Sequence, residues 1–445
     1  MKYAIEFRIM EINRKSNCVN HKMNCAFCQE RIAMKRVILH SDMNNCYASI
    51  EIQRNPALRG KPLVVGGSVE DRHGIVLAKS VEAKAMGIKT GEALWQAKNK
   101  CPNLIVVAPH YEVYLDFSRR ARAIYYDYTN QVEPFGLDEC WLDVTGSVHL
   151  FGTGEAMAHA IRRRMKKELG ITVSVGVSFT KTFAKLGSDM KKPDAVTVIA
   201  EEDVAKKVYP LPADAMIGIG SKTKEKLRSV GIHTLGDLAQ ADVALLKSRL
   251  GINGEKLWKK ARGMEEDPVR DRDDLLPVKS VGNGITLRED LKNPVEVRRI
   301  FQILALNVAR RLREGELMAR GIEIHLRDKD LRSMTFQRMF PTDGASSFLL
   351  RDSAFDLYTE KVDPARLIRA VTLRATHLVP GKAAVQTDFF SDYEKKKKEE
   401  DLDRAIYTIR RRYGEEAITF LGLLNDTKMP IHTNDVITLP HPVFR

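Results

Sequence analysis

A chain of 445 residues in which 44% of side chains are hydrophobic and 29% charged is too long for one compact core, at roughly 150 residues per domain, and too apolar to be largely disordered. Lysine and arginine number 72 against 58 acidic residues, a formal charge of +14, which favours a polyanionic partner such as nucleic acid or an anionic membrane surface. No run approaches the roughly 18 uninterrupted apolar residues of a membrane span, and no signal-peptide core opens the chain. A cytoplasmic protein is therefore expected, with its six cysteines reduced rather than paired in a disulfide framework.

Residues 1–33 are polar and without sustained periodicity. Cys18, His21, Cys25 and Cys28 have spacings that could form a small zinc knuckle, but a short segment offers little backbone to support one, and a disordered extension with Met34 as an alternative start is expected. The run Val37, Ile38, Leu39, ending in His40, Ser41 and Asp42, predicts a buried strand with a polar end. A helix is predicted over residues 114–128, then strands over 131–134 and 140–144 around a turn at 136–139. Met157, Ile161, Met165 and Leu169 recur every four residues as the stripe of an amphipathic helix, and residues 171–177 predict another strand. With the insertion at 46–111 set aside, the order is β-α-β-β-α-β, a ferredoxin-like unit.

Residues 201–266 predict a small helical domain with two glycine-bearing turns, Ile217-Gly218-Ile219-Gly220 and Leu250-Gly251-Ile252-Asn253-Gly254. Residues 267–277, with prolines and alternating charges, predict a linker. An α+β domain is predicted over 278–380, with strands near 321–326 and 370–375 and a helix over 295–313. The lysine run at 395–398 is expected to be a solvated face. It precedes a last helix in which Leu402, Ile406, Ile409 and Tyr413 share one side.

In the ferredoxin-like order Asp42 ends the first strand, while Asp138 and Glu139 lie in the turn between the second and third. The topology sets the strands that carry them side by side in the sheet, so three carboxylates converge at one edge. Such a cluster is unfavourable without compensation, and hard divalent cations such as magnesium, which prefer carboxylate and carbonyl oxygens, supply it. Two metals about 4 Å apart can activate an attacking oxygen and stabilise a leaving one. Taken alone, an Asp-Glu dipeptide is more often just a turn.

Three long segments change that balance: HSDMNNCYASIE at 40–51, FGLDECWLDVT at 135–145 and VSVGVSFTKTFAKLGSDMKKP at 173–193. In colinear order they resemble the Y-family, or translesion, DNA polymerases of the DNA polymerase IV type, over roughly residues 34–425. The resemblance implies an α+β multidomain right-hand fold, with a ferredoxin-like palm at 34–45 and 112–200 and fingers at 46–111. It implies further a helix-hairpin-helix thumb at 201–266, a linker at 267–277, an α+β little finger at 278–380, and a tail at 381–445. By it, Asp42, Asp138 and Glu139 are the catalytic and metal-binding acids and the Met43 carbonyl a backbone ligand, holding two Mg2+ ions. Tyr47 matches the aromatic steric gate beneath the sugar of the incoming nucleotide, and Lys181 the lysine that holds the triphosphate. Lys185 is expected to serve solubility or packing.

The chain departs from the commoner pattern in the finger segment. Many members have threonine, tyrosine and arginine where this chain has Ala78, Val81 and Lys84. Lys84 keeps a charge for the triphosphate but loses the bidentate fork of arginine, and Val81 has no hydroxyl to donate, so weaker nucleotide binding is expected.

Gly218, Gly220 and Lys222 match a helix-hairpin-helix that would meet a DNA phosphate without reading sequence. Arg298, Arg299, Arg310, Arg311, Arg313, Arg320 and Arg327 are expected along a basic groove, and KSVGNGIT at 279–286 to contact the template. Gln386, Phe389 and Phe390 resemble the short peptide by which bacterial polymerases dock on the sliding clamp, the beta subunit of the replicative polymerase.

The resemblance thus implies a monomeric, template-directed, error-prone DNA polymerase without proofreading. It would act on primer-template DNA and deoxynucleoside triphosphates, with no membrane partner. Two other readings stay open: a nucleotidyl cyclase, and a catalytically weakened, clamp-docked DNA-binding accessory protein.

Overall fold

The structure, a computed structural model, describes residues 35–69, 72, 74–274, 277–381, 393–414, 417–423 and 428. They fall into two compact units, one formed by the chain up to Asn44 with Ser118–Asp273 and the other by Asn45–Phe117 with Asp274 onward. In chain order the strands are β1 Ile38–Met43, β2 Leu63–Gly66, β3 Val76–Lys79, β4 Ile105–Val107, β5 Val132–Phe135, β6 Glu139–Asp143, β7 Val173–Ser178, β8 Val196–Val198, β9 Ser280–Leu291, β10 Leu317–Asp328, β11 Ser333–Gly344 and β12 Ile368–Pro380. Among the described residues no helix is long and apolar enough to cross a membrane.

The first unit is built on a five-stranded sheet of order β5-β6-β1-β7-β8. The run β7-β1-β6-β5 is the ferredoxin-like order the sequence predicts, with β8 added parallel to β7 at the edge. β1 and β7 are buried at every position, β1 including its polar end at His40, Ser41 and Asp42, and β7 with small serines and a glycine alternating with its valines. The helix Gly154–Arg164 starts where Thr153 Oγ1 accepts from the Ala156 amide at 3.2 Å. Its predicted stripe of Met157, Ile161, Met165 and Leu169 is buried, the last two in a single π-helical turn.

Residues 201–266 are largely helical, packed around Leu227, Leu235, Leu238, Leu246 and Leu257 together with Phe183 and Leu186. The segment that follows is strapped to the sheet. Val269 packs with Ile38 and Trp141, Gln131 Nε2 donates to the Val269 carbonyl at 3.4 Å, and the buried Glu133 accepts from the amide and guanidinium of Arg270 at 3.1 and 2.9 Å.

The second unit carries a three-stranded sheet, β3-β2-β4, and a four-stranded antiparallel sheet, β11-β10-β12-β9. The latter presents Ile322, Ile324, Leu326, Val371 and Leu373 to the helices Pro294–Glu314 and Ser347–Lys361. The tail helix Tyr393–Tyr413 buries only part of its apolar stripe. Leu402 and Tyr413 are exposed, and the buried side is Asp403 with Ile406. Beside Ile406 is a polar anchor: Asp403 accepts from the amide and hydroxyl of Ser347 at 2.5 and 2.6 Å, satisfying the start of another helix. The arginines expected along one groove also divide. Arg298 pairs with Asp352, Arg310 with Glu314, and Arg311 donates to the Gly282 carbonyl on the helical side, whereas Arg320 and Arg327 sit on β10.

Candidate active site

β1 and β6 run antiparallel with Asp42 directly opposite Glu139, so period-2 geometry places both side chains on one face of the sheet. The Met43 amide donates to the Asp138 carbonyl at 3.0 Å, which fixes the turn carrying Asp138 against the end of β1. The three predicted acids and the Met43 backbone are thereby gathered at one sheet edge. Burial raises the Asp42 carboxyl against the pull of Lys192. Burial, followed by the charges of Asp42 and Glu139, pushes Asp138 up to about 6. For Glu139 burial acts upward too, but hydrogen bonds from His40 and Lys185 override it and hold the group at about 2.

Two lysines are paired with these acids. Lys192 Nζ donates to Asp42 Oδ2 at 2.7 Å and also pairs with Asp189 at 2.8 Å. Lys185 is paired with Glu139, its ammonium 5.3 Å from the Phe135 ring centroid. Among the described residues no cation pairs with Asp138. The donor set of three carboxylates and a backbone carbonyl is hard oxygen throughout and carries an uncompensated acid, which suits divalent cations such as Mg2+. Among the described residues no group of three acidic, histidine or cysteine side chains is placed to hold a metal ion; Asp42 and Glu139 are paired with lysines instead.

Lys185 therefore corrects the expectation of a packing role. Lys181, by contrast, donates to Glu133 Oε2 at 2.7 Å and lies over Trp141 at 4.9 Å. Reading the motif linearly misses Lys192 and the residues that place it. Asn44, two positions beyond Asp42, accepts from the Asp194 amide through Oδ1 and donates to Ser174 Oγ through Nδ2, each at 2.9 Å, so it staples the loop bearing Lys192 beside β1. His40 is fully buried, with Nδ1 2.8 Å from Ser188 Oγ and Nε2 3.2 Å from Glu139. Burial lowers its pKa.

In the second unit Tyr47 lies in the first turn of the helix Cys46–Arg54 and packs in a small cluster with Ala48, Leu63, Val65 and Ala78. Lys84 is on the short helix Val81–Ala85, whose start is capped by Ser80 Oγ accepting from the Ala83 amide at 3.2 Å. Val81 is exposed and Ala78 packs against the Tyr47 cluster, so of the three departures from the common pattern two are apolar and only Lys84 carries a charge.

The glycine turns also have the expected form. Gly218 has φ +95° and Gly220 caps the helix Ser221–Arg228, leaving backbone amides at a helix start free to meet an anion. A cleft of about 440 Å³ beside it is lined by Gly218, Lys226, Arg249, Lys256 and Lys260. Lys222 is exposed, while Lys224 is paired with Asp214 at 2.6 Å. Gln386, Phe389 and Phe390, like the cysteines before Met34, lie outside the described residues.

Residues 41–189 match the impB/mucB/samB family, residues 278–389 that family's C-terminal domain, and residues 214–265 the thumb domain of DNA polymerase-iota. The DNA polymerase IV of Acetivibrio thermocellus is 45% identical over 393 residues, spanning 88% of this chain and 98% of that protein. DNA polymerase IV 1 of Bacillus subtilis is 39% identical over 386 residues, spanning 86% and 92%. Among solved structures a Y-family DNA polymerase chimera superposes with a TM-score of 0.70 at 25% identity, covering 77% of this chain and 99% of its own.

Proposed function

Since the chain belongs to the Y-family of DNA polymerases, in the DNA polymerase IV group, we propose that it performs error-prone translesion synthesis, adding deoxynucleotides to a primer 3′ end by two-metal phosphoryl transfer without proofreading. The observation that carries this reading is the cross-strand pair Asp42 and Glu139 with Asp138 beside them. Asp42, Asp138, Glu139 and the Met43 carbonyl would hold two Mg2+ ions, whose chemistry is Lewis-acid activation of the attacking and leaving oxygens. The primer 3′ oxygen bonds to the α-phosphorus, the bond from that phosphorus to the bridging oxygen breaks, and pyrophosphate leaves.

Lys185 and Lys192 occupy the acids in the substrate-free chain, and a triphosphate, with its denser charge, is the natural partner to take them over. This favours Lys192 over Lys181 for the triphosphate. Lys192→Ala should raise the nucleotide KM by on the order of tenfold or more, the size of a lost charge-assisted hydrogen bond. Lys181→Ala should leave it nearly unchanged, and steady-state kinetics on one primer-template would reverse the assignment if the two effects were exchanged. Lys84, with Ala78 and Val81 beside it, accounts for a weak ground-state grip on the nucleotide.

The proposal includes the domain reading of the sequence, with the palm at 34–45 and 112–200, fingers at 46–111, thumb at 201–266 and little finger at 278–380. Gly218, Gly220 and Lys222 would hold the duplex through its phosphates, and β10 would add Arg320 and Arg327. Gln386, Phe389 and Phe390 would dock a monomeric, cytoplasmic enzyme on the sliding clamp. Replacing both phenylalanines with alanine should weaken clamp binding by on the order of a hundredfold, as loss of two aromatic anchors does, while extension without the clamp is unchanged. Clamp affinity equal to that of the unaltered protein would remove the peptide from the docking reading.

The direct test is extension of a labelled primer with Mg2+ and deoxynucleoside triphosphates, with and without template, on matched and mismatched 3′ ends. Template-dependent extension without trimming is expected. No extension at nucleotide concentrations high enough to offset a poor KM would favour the accessory-protein reading instead.

A further inference from the structure

We propose that Tyr114, anchored by the buried carboxylate of Glu51, stiffens the Tyr47 ring and so sets how strongly the enzyme excludes ribonucleotides. The inference rests on reading Tyr47 as the ring beneath the nucleotide sugar, and extends it to the residues that hold that ring.

Tyr47 and Glu51 are one turn apart on the helix Cys46–Arg54 and share a face. Against them the first turn of the helix Tyr111–Tyr126 presents Tyr111 and Tyr114. Tyr114 lies nearly parallel to Tyr47, with ring centroids 4.3 Å apart at 9°. Tyr111 meets both edge-on, at 6.0 and 5.8 Å. Tyr114 is fully buried, and its hydroxyl donates to Glu51 Oε1 at 2.6 Å. Glu51, 3% exposed, also accepts from Arg54 Nη1 at 2.9 Å and lies 2.9 Å from His110 Nδ1.

A buried carboxylate costs free energy unless its oxygens are satisfied. With three partners Glu51 is a fixed node in a closed network rather than a loose acceptor. Stacking alone would let the two rings slide together, and the hydroxyl bond pins the far end of the second ring, giving the first a wall. Steric exclusion is only as strong as that wall is stiff. A side chain free to leave its rotamer by about 30° yields at modest cost, whereas a ring backed by packed and hydrogen-bonded neighbours holds its place. Burial pushes the Tyr111 and Tyr114 phenols above their usual range, so the Tyr114 hydroxyl stays a donor across working pH. Tyr114, Glu51 and His110 are thus positioning residues, acting through Tyr47.

The test measures kcat/KM for each deoxynucleotide and its ribonucleotide counterpart on one primer-template, with melting to confirm folding, for Tyr47→Ala, Tyr114→Leu, Tyr114→Phe and Glu51→Gln. Tyr47→Ala should abolish sugar discrimination. Tyr114→Leu should lower the deoxy-to-ribo ratio about tenfold, the size of one lost aromatic stack, and Tyr114→Phe about threefold, as expected for a weaker constraint. Glu51→Gln, whose amide oxygen still accepts from Tyr114, should stay close to the unaltered enzyme. Unchanged ratios in both Tyr114 variants beside a Tyr47→Ala that admits ribonucleotides would overturn the inference and leave the gate reading intact, as would equal losses for both sugars. A Tyr47→Ala variant that still excludes ribonucleotides would sink the gate reading and the inference with it. Should Tyr114→Leu fail to fold, Tyr114→Phe decides.

Discussion

Replacing Asp138 and Glu139 together with alanine is expected to abolish primer extension, by at least about a thousandfold, while the protein stays folded. Both carboxylates would hold the divalent cations of a phosphoryl transfer, and removing several kcal/mol of charge stabilisation at the reacting oxygens lowers the rate tenfold for each 1.4 kcal/mol or so. Stability answers differently to each of the two acids. Asp138 is held by burial and by the charges of Asp42 and Glu139, with its carboxyl pushed up to about 6. A carboxyl whose folded pKa lies above its unfolded value is a liability at every pH above that folded value, so Asp138→Ala alone should leave the melting temperature unchanged or raise it. Glu139 is the opposite case, since Lys185 and His40 bind it, and its loss leaves a half-buried ammonium with less compensation. A double variant that keeps extension within tenfold of the unaltered protein would refute the two-metal reading, whatever its melting temperature.

The second large effect is expected at Gly176, in the middle of β7, far from any reacting group in the sequence. A methyl there would meet backbone atoms of the helix Lys181–Met190, at 1.9 Å from the Ala184 carbonyl oxygen and 2.5 Å from the Ser188 amide nitrogen. Backbone atoms cannot swing aside as a side-chain end can, so the whole helix must lift from the sheet. Overpacking of this kind costs about 3 kcal/mol or more, which in a unit of this size corresponds to a fall in melting temperature on the order of 10 °C. The same helix carries Lys185 to Glu139 and Ser188 to His40, so catalysis by any surviving folded protein should fall as well. Gly187, whose added methyl would meet its neighbours only at 3.1 and 3.2 Å, provides a milder comparison in the same contact. A Gly176→Ala protein melting within about 2 °C of the unaltered chain would show that the helix tolerates displacement.

Much of this architecture is legible in the linear chain because it is local. The stripe Met157, Ile161, Met165, Leu169 names a helix and its buried face, since 3.6-residue geometry needs no partner to be read. Asp42 at the end of one apolar run and Asp138-Glu139 at the start of another come together once the order of strands is known, because β1 and β6 are antiparallel neighbours and the end of one lies beside the start of the other. The acids are legible in the same way, as positions on a sheet whose topology follows from the order of elements.

The cations and the packing of the tail are another matter. Lys181, Lys185 and Lys192 look alike as residues in one motif, and only the close approach of helix to strand over Gly176, with the loop stapled by Asn44, puts two of them on the acids and the third on Glu133. A long flexible side chain reaches whatever carboxylate the fold brings within range, so its partner depends on distances across the chain and leaves no trace in spacing. The face of the tail helix follows the same logic. Its apolar pattern runs through Leu402, Ile406, Ile409 and Tyr413, but only Ile406 of these is buried, beside Asp403 and its bond to Ser347, while Leu402 and Tyr413 stay exposed. The arginines split because Arg320 and Arg327 are exposed positions of β10 beside the buried Ala319 and Leu326, whereas Arg298, Arg310 and Arg311 lie on the helix Pro294–Glu314. Periodicity and motif order suffice where an interaction is written within a few residues; where two surfaces meet across more than a hundred positions, close contact and buried charge choose the partner, and those exist only in the folded chain.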